Sequence, residues 1–158
     1  MPQITQLLCS SPDQTADLAR KISAHLRPGS VMLLEGDIGA GKTHFARSLI
    51  QHLLSEPEDV PSPTFTLVQT YQTPAFEVWH ADLYRLSHPD EVFELGLTDA
   101  FETAVCLVEW PDRLADLAPE SAVTLRFEAT AQDDGRQITV SATDPRWAFL
   151  ADLARAPA

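Results

Sequence analysis

Asparagine is absent from this 158-residue chain, lysine occurs only as Lys21 and Lys42, and cysteine only as Cys9 and Cys106. Without asparagine, the Asn-Lys-x-Asp element by which GTPases specify guanine cannot be present, so a nucleotide-binding reading points to ATP. Each cysteine sits in an apolar run, where a small buried thiol is the usual explanation. No apolar run approaches the ~20 residues that a membrane span needs. Met1-Pro2-Gln3-Ile4-Thr5 holds no basic segment followed by an apolar core, so no secretory signal is expected and the expected location is cytoplasmic. Basic residues are scarce too: 11 stand against 23 acidic ones, for a net charge of −12. Such a surface repels a phosphate backbone, which argues against tight nucleic-acid binding by this chain alone; a role in RNA or DNA biology would need a partner to supply the basic surface. With 44% hydrophobic and 22% charged residues, one well-buried core is expected, as a single domain over residues 1–158 with no internal repeat or low-complexity linker.

What is present is organised around Gly36-Asp37-Ile38-Gly39-Ala40-Gly41-Lys42-Thr43. This G-x-x-x-x-G-K-T stretch follows the apolar run Val31-Met32-Leu33-Leu34 and opens an amphipathic segment with Phe45, Ala46, Leu49, Ile50 and Leu53, the strand-loop-helix setting that a phosphate-binding loop requires. The glycines let the backbone curl with its N–H groups inward, making a concave nest for phosphate oxygens, and the following helix adds its positive N-terminal end. Lys42 would reach the β- and γ-phosphates of ATP, and the Thr43 hydroxyl would ligate Mg²⁺. A Gly-rich turn that happens to end in Lys-Thr is the bland alternative; the agreement of strand, loop and helix signals speaks against it.

Elsewhere, residues 3–8 read as a strand. Ser11 reads as an N-cap, with Pro12 at the first helical position and Gln14 completing a capping box, for a helix that stops at Pro28-Gly29. The run at 31–35, apolar on both faces, fits the centre of a parallel sheet with helices on both sides. Phe65 to Thr70 and Phe76 to Ala81 read as an antiparallel pair, and Pro89-Asp90-Glu91 opens a short helix ending near Leu95-Gly96. Val105-Cys106-Leu107-Val108 is a second fully apolar strand, ending in Glu109. Residues 112–117 read as a short helix, 122–129 and 136–143 as a hairpin around Asp133-Asp134-Gly135, and Arg146 to Arg155 as a closing helix. The fold class is therefore α/β: a P-loop NTPase fold with a mostly parallel sheet flanked by helices and with antiparallel hairpin additions.

Three carboxylates compete for a metal role. Glu109 ranks first, because a buried parallel strand delivers it to the carboxyl edge where ligands bind in open α/β sheets; it would hold Mg²⁺ directly or through water, the alternative being an exposed strand-end acid. Asp82 also ends a strand, and either binds the metal through water, orients the attacking water, or serves as a cap or ion pair to Arg85. Glu35, directly before the loop, reads as a spacer. Thr64 lies in a Pro-framed loop that is either a unit sensing the γ-phosphate or a rigid turn. His80 is a phosphate sensor or a core histidine, and Trp110 a packing residue or a lid or partner contact.

Taken in order, the phosphate loop, Ser62-Pro63-Thr64-Phe65, His80-Ala81-Asp82-Leu83-Tyr84-Arg85-Leu86 and Glu109-Trp110-Pro111 resemble the TsaE family, closely over about residues 31–111 and loosely at the flanks. These are small bacterial ATPases needed for threonylcarbamoyl-adenosine formation in tRNA. The resemblance implies ATP and Mg²⁺ at the loop, Thr43 and Glu109 near the metal, Thr64 in a switch-like loop and Asp82 supporting hydrolysis. It also implies work in a complex with TsaD and TsaB, where TsaD does the transfer chemistry and tRNA is met only through the complex. By the same resemblance, Thr15 and Arg136 border the base or its phosphates. His44 stands where the family more often has a small or hydroxyl residue; its backbone N–H would touch the α-phosphate, and its side chain is unexplained.

Two rival readings share the loop. A small-molecule kinase needs a positively charged lid, and no Arg-rich segment is present to form one. A nucleotide-gated binding module would have negligible catalysis of its own. Arginine is scarce near the site and leaves no obvious finger in cis apart from Arg85, so turnover alone is expected to be slow; a finger supplied by a partner is worth on the order of 10³–10⁵ in rate.

Overall fold

A computed structural model describes residues 3–37, 39–54, 58–63, 67–86, 88, 90–130 and 135–155. Its seven strands form one sheet: β1 (Gln3–Cys9), β2 (Val31–Glu35), β3 (Val68–Gln72), β4 (Glu77–Asp82), β5 (Val105–Glu109), β6 (Val123–Ala129) and β7 (Arg136–Ala142). The spatial order is β1-β7-β6-β2-β5-β4-β3. The central pairs β6/β2, β2/β5 and β5/β4 are parallel, whereas β1/β7, β7/β6 and β3/β4 are antiparallel. A parallel core with antiparallel additions at both edges is the architecture that the strand patterns imply.

Helices cover both faces. α1 (Pro12–Ser23) and α2 (Lys42–Leu53) pack on one face with α5 (Phe149–Arg155); α3 (Asp90–Glu94) and α4 (Leu97–Thr103) lie on the other. Alternation along the central strands sorts the core: Met32, Leu34, Val78, Val105 and Leu107 face α2, while Val31, Leu33, Ala81, Cys106 and Val108 face α4. Phe45 of α2 meets Phe127 of β6 with ring centroids 5.5 Å apart and a tilt of 60°, both rings fully buried. Two such rings contribute about 3–6 kcal/mol of apolar burial and fix α2 against the sheet.

Several local expectations shift. α1 ends at Ser23, not at Pro28, and Leu26 still packs into the core from the turn that follows. The capping box is only half made: the Gln14 N–H donates to Ser11 Oγ at 3.2 Å, but the Gln14 side chain accepts from Ser10 N at 2.7 Å, one residue further back. α3 is followed at once by α4, because Gly96 takes a left-handed φ of 81° and restarts the chain. Residues 111–117 make 3₁₀ turns broken at Ala115, and the closing helix begins at Phe149 after a separate 3₁₀ turn, Pro145–Trp147.

The loop after β2 requires glycine at Gly36. Its φ is +139°, and a Cβ there would lie 2.5 Å from the Phe127 carbonyl oxygen, a backbone atom that cannot step aside. Gly39 has φ +82° with nothing within 4 Å of such a Cβ. Gly39→Ala is therefore expected to cost only backbone strain, about 1–3 kcal/mol. Gly36→Ala should cost clearly more, because it adds a clash with the backbone of β6. Urea unfolding of the two variants checks this; equal losses would contradict the close approach of β6.

Candidate functional site

Register brings the site residues into one row. Asp82 at the end of β4 pairs with Glu109 at the end of β5, and Glu109 pairs with Leu34 near the end of β2. The backbone ties these ends together through Leu83 N to Glu109 O at 3.1 Å and Trp110 N to Leu34 O at 3.3 Å. Because side chains alternate along a strand, His80 and Asp82 share the α2 face with Glu109, beneath the first turn of α2. The Thr43 hydroxyl donates to Glu109 Oε1 at 2.7 Å, and His80 Nε2 lies 2.7 Å from Glu109 Oε2. His80 is 0% and Glu109 2% exposed, so this chain of three polar groups is sealed on the sheet side.

Lys42 opens α2 directly after Gly41, whose φ of 106° turns the loop into the helix. Its ammonium donates to the Gly36 carbonyl and sits 3.5 Å from the centroid of the Trp110 ring. Burial pushes the Lys42 pKa below the usual lysine range; the charges of Glu109, then Asp82, Asp37 and Asp112, oppose that shift. Trp110 is held in a left-handed conformation, φ 59° and ψ 55°, and its ring meets Tyr84 at 4.9 Å. Non-glycine residues in that region are strained and collect at functional sites. Asp82 Oδ1 accepts from Tyr84 N at 3.0 Å, a cap on the turn leaving β4.

These groups open onto a cavity of about 550 Å³, a volume typical of sites for small molecules. Lys42, Thr43, Asp82, Glu109 and Trp110 line it together with Pro12, Thr15, Gly39, Gly41, His44, Tyr84, Arg85 and Arg136. The His44 side chain ties α2 to the start of α1, its Nε2–H donating to the Pro12 carbonyl at 3.0 Å. Thr15 Oγ1 donates back to Ser11 O at 3.3 Å. Arg136 braces the loop, donating from Nε to Ala40 O at 2.7 Å, from Nη2 to Gly39 O at 3.3 Å and from Nη1 to Gly135 O at 2.7 Å.

The structure thus gathers Thr15, Gly39, Gly41, Lys42, Thr43, His44, Asp82, Glu109 and Arg136 around one cavity. Asp37 is exposed on the loop and Ala40 packs into the core; neither lines it. Ile38 and Thr64 fall outside the described residues. Sequence reasoning did not link His80 to Glu109, although strand alternation places both on the α2 face. It also missed that Trp110 lies over Lys42, for which no local signal exists.

A sheet with a parallel core, carrying a glycine loop, an ammonium and a helix N-terminus at its carboxyl edge, with carboxylates on neighbouring strands, defines a protein with the P-loop NTPase fold. The family model described as "Threonylcarbamoyl adenosine biosynthesis protein TsaE" matches residues 9–138. A tRNA threonylcarbamoyladenosine biosynthesis protein TsaE from Rickettsia bellii is 38% identical over 129 residues, covering 82% of this chain and 90% of the relative. The protein of the same description from Bacillus subtilis is 36% identical over 143 residues, covering 90% and 88%. The crystal structure of Bacillus subtilis YdiB superposes with a TM-score of 0.77 at 29% identity, over 98% of this chain and 96% of that one. This chain belongs to the TsaE family, whose members take part in threonylcarbamoyladenosine biosynthesis.

If Arg136 acts as a brace, its geometry matters and its charge alone does not suffice. Arg136→Lys keeps the charge but replaces a planar three-nitrogen fork by one ammonium. Amide hydrogen exchange at residues 39–41 should accelerate in Arg136→Lys about as much as in Arg136→Ala. Full protection in the lysine variant would show that charge is enough.

Proposed function

We propose that this chain is a Mg²⁺-dependent ATPase subunit that serves threonylcarbamoyladenosine modification of tRNA together with TsaD and TsaB. The observation that carries this reading is the convergence of Lys42, Thr43, Asp82 and Glu109, from three separate elements, on a single cavity. The loop amides, the start of α2 and Lys42 supply positive potential for the phosphates of ATP. To serve, Lys42 would exchange the Gly36 carbonyl for phosphate oxygens, a charge-assisted contact that outweighs a neutral one.

The donor set fits Mg²⁺. Thr43 Oγ1 and Glu109 Oε1, 2.7 Å apart, are two hard oxygens, and Mg²⁺ usually takes one or two protein oxygens, phosphate oxygens and waters. Among the described residues no group of three or more His, Cys, Asp and Glu side chains forms a metal cage. Held by Thr43 and Glu109, Mg²⁺ would supply charge neutralisation for the phosphates. Asp82, beside Glu109 in register, orients the attacking water, and burial of His80 and Glu109 keeps bulk water off the sheet side. Arg85 lines the cavity and, with a partner's groups, would stabilise the transferring phosphoryl charge.

The net charge of −12 supports a division of labour in which partners hold the tRNA. No helix of the described residues is long and apolar enough to cross a membrane, and we propose a cytoplasmic location. ATP turnover by the chain with Mg²⁺ should be slow alone and rise strongly with TsaD and TsaB. Lys42→Ala should abolish nucleotide binding, and Glu109→Ala should retain binding while losing on the order of 10²-fold or more in turnover. Unchanged turnover in Lys42→Ala would place the site elsewhere. Phosphorylation of a metabolite faster than ATP hydrolysis would favour a kinase, and tight ATP binding without partner stimulation would favour a nucleotide-gated module.

A further inference from the structure

We infer that His80 is a positioning residue for the cation site, acting through Glu109; the inference rests on the reading of Thr43 and Glu109 as holders of Mg²⁺. Both oxygens of the Glu109 carboxylate are engaged, Oε1 by the Thr43 hydroxyl at 2.7 Å and Oε2 by His80 Nε2 at 2.7 Å. The two donors come from different elements, α2 and β4, so the carboxylate plane is fixed from both sides. His80 is itself wholly buried and cannot swing out to solvent.

The other ring nitrogen settles which way the proton points. His80 Nδ1 is buried and has no hydrogen-bond partner among the described residues. A proton on Nδ1 would be a buried donor with nowhere to go, next to an Nε2 lone pair facing a carboxylate. The arrangement is satisfied when Nε2 carries the proton and donates to Glu109 and Nδ1 keeps its lone pair. The histidine thus spends its one donor on Oε2 and leaves the free lone pairs of Oε1, with those of Thr43 Oγ1, for a cation. A leucine or methionine would fill the same layer between Val78 and Leu107 without a buried polar atom. The imidazole therefore adds nothing to packing that an apolar side chain lacks; what it adds is the orientation of Glu109.

Partners that orient a ligating group typically change metal affinity or activity by 10–100-fold when removed. Calorimetric titration of the full chain with ADP, in saturating Mg²⁺ and in EDTA, tests the role. Mg²⁺ should tighten ADP binding in the wild type. His80→Met should lose about 10-fold or more of that gain while its EDTA affinity stays within about 2-fold of wild type. His80→Gln, whose amide nitrogen replaces Nε2 as a donor, should keep most of the gain. A full Mg²⁺ gain in folded His80→Met would overturn the inference. If wild type and Glu109→Ala both bind ADP equally with and without Mg²⁺, the cation reading itself fails. Should His80→Met not fold, the ¹⁵N spectrum of the wild-type imidazole decides. A protonated Nε2 that shifts in Glu109→Gln supports the inference, and a protonated Nδ1 overturns it.

Discussion

One buried carboxylate sets the terms for the carboxyl edge of the sheet. An ionised Glu109 removed from water would cost several kcal/mol if left alone. It is tolerated because α2 and β4 each bring a donor to one of its oxygens. That requirement ties the first turn of α2 to β5, and β5 to β4, independently of the apolar layer below. Charge-assisted hydrogen bonds of this kind are about twice as strong as neutral ones. Glu109 is also where Lys42 finds its largest countercharge, against the burial that disfavours its ammonium.

The glycine loop follows from the same constraint. For Thr43 to reach Glu109, the chain must leave β2, pass close to β6 and enter α2 within a few residues. Gly36 permits the close pass, with the Phe127 carbonyl where a Cβ would sit, and Gly41 permits the turn into the helix. Arg136 then closes the loop from β7 by taking two of its carbonyls. Lys42 is left with a carbonyl and an aromatic face for partners, both weaker than a phosphate.

Much of this was legible in the residues. The fully apolar runs 31–34 and 105–108 can be buried only between two helical layers, and they do lie side by side at the middle of the sheet. The G-x-x-x-x-G-K-T spacing located the loop, and strand-end position singled out Asp82 and Glu109. What escaped reading depended on distance along the chain. Thr43 and Glu109 are 66 residues apart and His80 and Glu109 are 29 apart, so their pairing needs the strand order and the register, which local pattern does not carry. Helix ends escaped for a different reason: after Ser23, at Ala115 and at Ala148 the chain breaks where tertiary packing, more than propensity, sets the boundary.

If Glu109 is the centre of the site, Thr43 and Glu109 would hold the cation of a bound nucleotide. Replacing Mg²⁺ by paramagnetic Mn²⁺ in the ADP complex and recording which amide resonances broaden tests this most directly. The broadening should centre on residues 42–43, 82–83 and 109–110, three stretches distant in sequence that meet at the carboxyl edge of the sheet. Broadening centred on any other surface, with these resonances sharp, would contradict it.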